Sequence, residues 1–198
     1  MFDIKYVGDL SKADAFLLAH YGWRSDNILE FGAGASTQIF AQCKPKSLIS
    51  VETDPNWIER TRANLATLGL VNAVQFADYH DIPSMQYDVI FVDGVWMQRQ
   101  DFALKTWWHL SERGVMIFHD TRRWYDAENV SVILKKHYAE IYSVLVNHAA
   151  DPDEGPSNCT VIMKRPLLEY KNWNEVEGKE PWMWGDGEPQ ELERWPTV

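Results

Sequence analysis

Six acidic or imidazole side chains stand where chemistry would be done in this 198-residue chain: Glu30, Glu52, Asp78, Asp93, His119 and Asp120. They close or directly follow short apolar runs at 27–31, 47–51, 73–77, 88–92 and 114–118. Ligands of an open α/β sheet gather outside the carboxyl ends of its strands, so acids at five successive ends outline one binding site. An imidazole with a pKa of about 6.5 takes a proton from a hydroxyl when a carboxylate orients it, so His119 is a candidate general base with Asp120 or Asp93 behind it. A strand-end histidine satisfied by a backbone carbonyl is the structural alternative. Arg99, Arg122 and Arg123 lie just beyond the last two ends, where each either clamps a substrate carboxylate or phosphate or makes a surface ion pair. Trp96, Trp124 and Tyr125 fall on the same loops and can form an apolar wall against an aromatic or sugar-like acceptor.

The elements that must position these groups begin with Asn27–Thr37, NILEFGAGAST, in which an apolar strand runs through Glu30 into a turn with Gly32 and Gly34 and then a helix near Ser36. The glycines let the backbone come close to a ligand, and the helix start aims free N–H groups at it. Glu52 follows about twenty residues later, where an acid can accept both hydroxyls of a ribose. Thr37 stands where a dinucleotide fingerprint carries its third glycine. S-Adenosylmethionine has no pyrophosphate and carries a cationic sulfonium, so a turn with Glu30 and no third glycine suits it better. Helical patterns at 11–21, 36–43, 55–68, 99–111 and 128–138 alternate with the strands, which predicts parallel pairing through right-handed crossovers. Ile141–Asn147 and Cys159–Lys164 are joined by DPDEGPSN with no helix between them, which predicts a hairpin.

In this order, LEFGAGAST, VETDPNW, FADYHDI, YDVIFVDG and LSERGVMIFHDT resemble the motifs of class I S-adenosylmethionine-dependent methyltransferases, over residues 25–165. The pattern is most similar to small bacterial and phage members of O-methyltransferase type. The resemblance implies an α/β, Rossmann-like fold: a mostly parallel seven-stranded sheet ending in an antiparallel hairpin, with helices on both faces. It implies cofactor contacts from Glu30, Gly32, Gly34, Ser36, Glu52 and Asp93. It also places Asp78 at the adenine amine with Tyr79 beside it, a turn cap being the alternative for Asp78. Asp93, His119 and Asp120 match the positions that hold a divalent cation in metal-dependent O-methyltransferases. The ion would be Mg²⁺ or Mn²⁺, and the histidine fits Mn²⁺ better because Mg²⁺ prefers oxygen ligands. Those enzymes carry a lysine base three residues after the fourth-strand acid, where this chain has Trp96, so a catechol-type mechanism does not carry over. DNA-methylating members carry an Asp/Asn-Pro-Pro-aromatic motif or a nucleophilic cysteine, and neither has a counterpart here, which favours a small acceptor.

Length and composition set the outer limits. The chain suits one well-buried domain rather than two, and 45% hydrophobic with 24% charged residues is typical of a soluble globular protein. No run approaches about 20 apolar residues, and MFDIKYVGDL lacks the basic and apolar regions of an export signal. Cys43 and Cys159 read as reduced thiols in a cytoplasmic protein. A net charge of −10 argues against nucleic acid as partner. From Pro166 the composition changes, with eight acidic against three basic residues and Trp173, Trp182, Trp184 and Trp195. We therefore expect a methyltransferase domain over 1–165 and an acidic, Trp-rich extension over 166–198 that packs on the domain or joins a homo-oligomer. The expected function is O-methylation of a small molecule. The alternatives are a nicotinamide-dependent oxidoreductase on the same fold and a non-catalytic regulatory protein that binds S-adenosylmethionine.

Overall fold

Residues of both parities along the central strands are apolar and buried, the pattern of a parallel sheet covered on both faces. Leu29, Phe31, Val51, Ile90, Val92, Met116 and Phe118 point to one face, while Ile28, Leu48, Val89, Phe91, Val115 and Ile117 point to the other. The computed structural model describes residues 4–147, 150–151, 155–156 and 158–166. Its strands are β1 (Asn27–Phe31), β2 (Ser47–Val51), β3 (Gln75–Ala77), β4 (Tyr87–Val92), β5 (Leu110–Phe118), β6 (Ile141–Asn147), β7 (Ala150–Asp151), β8 (Gly155–Pro156) and β9 (Cys159–Lys164). Its helices are α1 (Lys12–Gly22), α2 (Ala35–Cys43), α3 (Pro55–Thr67), α4 (Arg99–Thr106) and α5 (Trp124–His137).

Seven strands form one sheet in the order β3-β2-β1-β4-β5-β9-β6, and β7 pairs with β8 in a separate short ribbon. The pairs from β3 to β5 are parallel, while β9 runs antiparallel between β5 and β6. Phe102 and Ala103 of α4 and Val130, Ile133 and Leu134 of α5 cover one face. Ala15 and Leu18 of α1, Ile39 and Phe40 of α2 and Leu65 of α3 cover the other. From β1 the order runs outward through β2 to β3 on one side, and the chain then returns to place β4 and β5 on the other, so a crevice opens where β1 and β4 end side by side.

Two helices differ from expectation by more than one residue. The helix expected over 99–111 stops at Thr106, and after a 3₁₀ turn at Trp107–His109 the chain enters β5 at Leu110, opposite Tyr87. Trp107 ends the helix by anchoring in the core, fully buried, with its Nε1 donating to Glu140 Oε2 at 3.0 Å. The helix expected from 128 begins at Trp124, with Asp126 in its first turn, where a negative charge favours the helix dipole. Apart from Pro166, the expected Trp-rich extension lies outside the described residues. No described helix is long and apolar enough to cross a membrane.

Candidate active site

The turn after β1 meets the turn after β4 at backbone distance. Gly32 has φ +95°, and a Cβ there would lie 2.8 Å from both Cα and N of Gly94. A Cβ on Gly94 would in turn lie 2.7 Å from the Phe31 ring. Glycine is needed at both positions for the crevice to close this tightly. Gly34 has nothing within 4 Å of its missing Cβ, so its backbone is open to a ligand.

Strand parity turns Glu30 inward beneath α2, where it is fully buried. Its carboxylate accepts the Ser36 hydroxyl and, at 2.7 Å, the Thr37 hydroxyl. Burial pushes its pKa up to about 7, although the hydroxyls of Ser36, Thr37 and Ser50 pull it down. Thr37 Oγ1 also accepts the Gly34 N–H at 2.9 Å, so the residue in place of a third glycine ties the turn to the buried acid. Glu30, expected at the cofactor, is not among the residues lining the cavity; its carboxylate holds Ser36 and Thr37 in place. Glu52 does line it, and its carboxylate braces two loops by accepting N–H groups of Ala33 (3.2 Å), Thr53 (2.8 Å) and Asp54 (2.9 Å).

The cavity measures about 440 Å³, within the range of small-molecule sites. Gly32, Gly34, Ser36, Glu52, Asp93 and His119 contribute to its wall at the strand ends, and Trp57 and Arg60 of α3 close one side. An N-terminal strap closes another through Gly8, Asp9 and Leu10. The strap is zipped to α2 by two glutamines one turn apart. Gln38 exchanges two 3.0 Å bonds with the backbone of Val7, and Gln42 exchanges bonds of 3.1 and 2.7 Å with that of Lys5. The Gln38/Gln42 pair is the signal that sequence reading passed over.

Asp78 and Tyr79 do not line this cavity, against the expectation of an adenine contact. Asp78 Oδ1 accepts the His80 N–H at 3.0 Å, a turn cap, and Tyr79 packs near Phe31 (5.8 Å between centroids) and Phe102 (6.2 Å) on the α4 face.

Beyond β4 and β5 the acids gather around buried cations. Arg99, 8% exposed, donates Nε to Gly94 O (2.8 Å), Nη1 to Asp126 Oδ1 (2.8 Å) and Asp120 Oδ2 (3.3 Å), and Nη2 to Asp93 O (2.7 Å) and Oδ1 (3.0 Å). Arg123 reaches Asp126 Oδ2 at 2.9 Å and also pairs with Asp120. Asn158 joins through Nδ2 to Asp120 Oδ1 at 3.0 Å and through its backbone N–H to Asp14 Oδ1 at 2.8 Å. Asp120 takes φ +62° to turn its carboxylate into this network.

His119 sits between three of these carboxylates, with Nδ1 3.1 Å from Asp93 and 3.6 Å from Asp120, and Nε2 3.6 Å from Asp14 of α1. Burial alone would lower its pKa, but Asp93, Asp14 and Asp120 outweigh it and raise the value to about 10. The ring is therefore an imidazolium at neutral pH, a donor and not the expected proton acceptor. Asp93, His119 and Asp120 do converge, with ligand atoms within 4.8 Å of one another. Arg99, read as a substrate clamp or surface ion pair, is instead a buried cross-link among Asp93, Asp120 and Asp126. Asp14, Asp126 and Asn158 were missed, since nothing local in the sequence joins them to the rim.

The sheet order, the antiparallel β9 and a cavity against the glycine turn define a Rossmann-like, class I methyltransferase fold. No family model matches the chain, and no curated protein matches it in sequence. Among solved structures, it is similar to the O-methyltransferase TomG of Streptomyces achromogenes, involved in tomaymycin synthesis and solved with S-adenosylmethionine. That match has a TM-score of 0.67 at 14% identity, covering 79% of this chain and 82% of TomG. An O-methyltransferase of Bacillus cereus, in complex with S-adenosylhomocysteine, matches at a TM-score of 0.63 and 15% identity over 79% and 83% of the two chains. An S-adenosylmethionine-dependent O-methyltransferase of Thermotoga maritima matches at 0.62 and 14%, over 82% of this chain and 68% of its own. Identities this low carry the fold; activity has to be argued from the site.

Proposed function

We propose that this protein transfers the methyl group of S-adenosylmethionine to an oxygen of a small molecule. The observation that carries the reading is the cavity in which Glu52, the open Gly34 backbone and Ser36 face Asp93 and His119 across the Gly32–Gly94 contact. Glu52 would take the ribose hydroxyls, and the turn from Gly32 to Ser36 would cradle the amino-acid end. When bound, S-adenosylmethionine supplies a methyl group on a cationic sulfonium. Displacement at that carbon is in-line, so the chain's chief task is alignment.

Asp93 commits Oδ1 to Arg99 and His119, while its Oδ2 takes no hydrogen bond from the described residues. That oxygen would receive the acceptor's hydroxyl proton as the O–CH₃ bond forms and the S–CH₃ bond breaks. His119 supplies positive charge beside the nucleophilic oxygen and keeps Asp93 oriented. Val95 on the cavity wall leads to exposed Trp96, whose ring lies 5.9 Å from Tyr125, which offers an apolar rim to the acceptor. The net charge of −10 favours such a molecule over nucleic acid, and two free cysteines fit a reducing cytoplasm.

The test is turnover with methyl-labelled S-adenosylmethionine against panels of phenols, hydroxy acids and sugars, with DNA and tRNA in parallel. Label in an extracted small molecule, stable to the base that hydrolyses esters for the phenols, supports the proposal. Label only in nucleic acid, or cofactor bound with every panel silent, overturns it. Binding of NADH in place of S-adenosylhomocysteine would favour the oxidoreductase reading.

A further inference from the structure

Arg99 occupies an unfavourable place by local rules. It is the first residue of α4, where the helix dipole disfavours a cation, and it is 8% exposed, where a lone guanidinium would be costly. Its surroundings explain it. A guanidinium has five N–H donors, and five bonds at 2.7–3.3 Å run from Arg99 to Gly94, Asp93, Asp120 and Asp126.

Of the two groups among the described residues that could hold a metal ion, Asp14 with His119 and Cys159 and Asp93 with His119 and Asp120, the second draws its oxygen donors from the two carboxylates that Arg99 bridges, Asp93 and Asp120. Their lone pairs are largely committed. Asp93 Oδ1 serves Arg99 and His119, Asp120 Oδ2 serves Arg99 and Arg123, and Asp120 Oδ1 accepts from Asn158. A hard divalent cation fills part of its shell with water but draws carboxylate oxygens from the protein, and here only Asp93 Oδ2 is uncommitted in that pair. The residues present therefore do not fit the ion that the fold family's metal-dependent members would suggest.

We propose that Arg99 is the resident cation of this site: its guanidinium bridges the strand-end carboxylates in place of a divalent ion. The arginine then acts as a positioning residue. By holding both the backbone carbonyls of Asp93 and Gly94 and the Asp93 carboxylate, it fixes the turn that packs on Gly32. A fixed organic cation also explains why Asp126 and Arg123 are recruited, since Asp126 holds the outer edge of the Arg99 fork and Arg123 balances it.

The experiment is a titration of Mn²⁺ into the wild-type protein and into Arg99→Gln, following the electron paramagnetic resonance signal of the free ion, with folding checked by circular dichroism. It needs neither cofactor nor acceptor, so its outcome is separate from that of the methyl-transfer reading. The wild type should leave the free-ion signal undiminished. Arg99→Gln, with its carboxylates released, should quench the signal at one site and gain thermal stability from Mn²⁺, and adding Asp120→Asn should abolish both effects. Saturable binding of one Mn²⁺ by the wild type, lost in Asp120→Asn, would overturn the proposal. So would a folded Arg99→Gln that gains no Mn²⁺ binding. If Arg99→Gln does not fold, the wild-type titration decides.

Discussion

On the β1–β2 side of the cavity, Glu30 and Glu52 take hydrogen bonds from neutral donors, the hydroxyls of Ser36 and Thr37 and the N–H groups of Ala33, Thr53 and Asp54. On the β4–β5 side, Asp93, Asp120 and Asp126 take theirs mainly from Arg99, Arg123 and His119. The first side orients an acid without cancelling its charge, which leaves Glu52 attractive to a cationic ligand. The second cancels charge inside the protein, which makes a rigid wall. One rim thus has two characters: a negative side, which under the proposed function would cradle the sulfonium-bearing cofactor, and a neutralised, cross-linked side, against which an acceptor would be held.

The largest effect should come from breaking the cross-linked side. Arg99→Ala leaves Asp126 and Asp93 without their buried partner and should cost about 3–5 kcal/mol in chemical denaturation. Next comes the contact between the two sides. Gly32→Ala forces a side chain into φ +95° against Gly94, so about 1–3 kcal/mol of backbone strain should appear, with loss of cofactor binding by calorimetry.

Stability against pH distinguishes the two sides further. The His119 pKa is raised to about 10, so its stabilisation is full below its unfolded value of about 6.5 and is lost as pH rises toward 10. Thermal melts should fall over that window in the wild type, and the part due to this group should vanish in His119→Asn. Glu30, raised to about 7, binds its proton more tightly folded than unfolded, so it lowers stability as pH rises from about 4.5 to 7 and adds no slope above. The smallest effect is predicted for Glu30→Gln. An amide can keep accepting from one hydroxyl, and the change should cost about 1 kcal/mol, far less than Arg99→Ala.

The same division decided how much was legible in the sequence. The glycine turn, Glu52 and the strand ends are readable because their partners are near: Ser36 and Thr37 lie six and seven residues from Glu30. The sheet was readable for a related reason, since strand and helix periods alternate and the final pair has no helix between its members. The ion cluster was not. It joins Arg99 to Asp126 across 27 positions and Asp14 to Asn158 across 144, and no local pattern marks those pairs. His119 was correctly placed at a strand end, but its protonation state depends on Asp93 together with Asp14, and Asp14 arrives from α1. For Asp78 and Tyr79 the strand-end position left open which face of the sheet each side chain takes, and the turn cap offered as the alternative for Asp78 is the bond the structure shows.

The decisive measurement is calorimetry of S-adenosylhomocysteine binding to the wild type and to Glu52→Ala. Saturable binding at one site is expected in the wild type, with its loss in a folded Glu52→Ala. An absence of binding by the folded wild type, or equal affinity in the two proteins, would contradict this reading of the cavity.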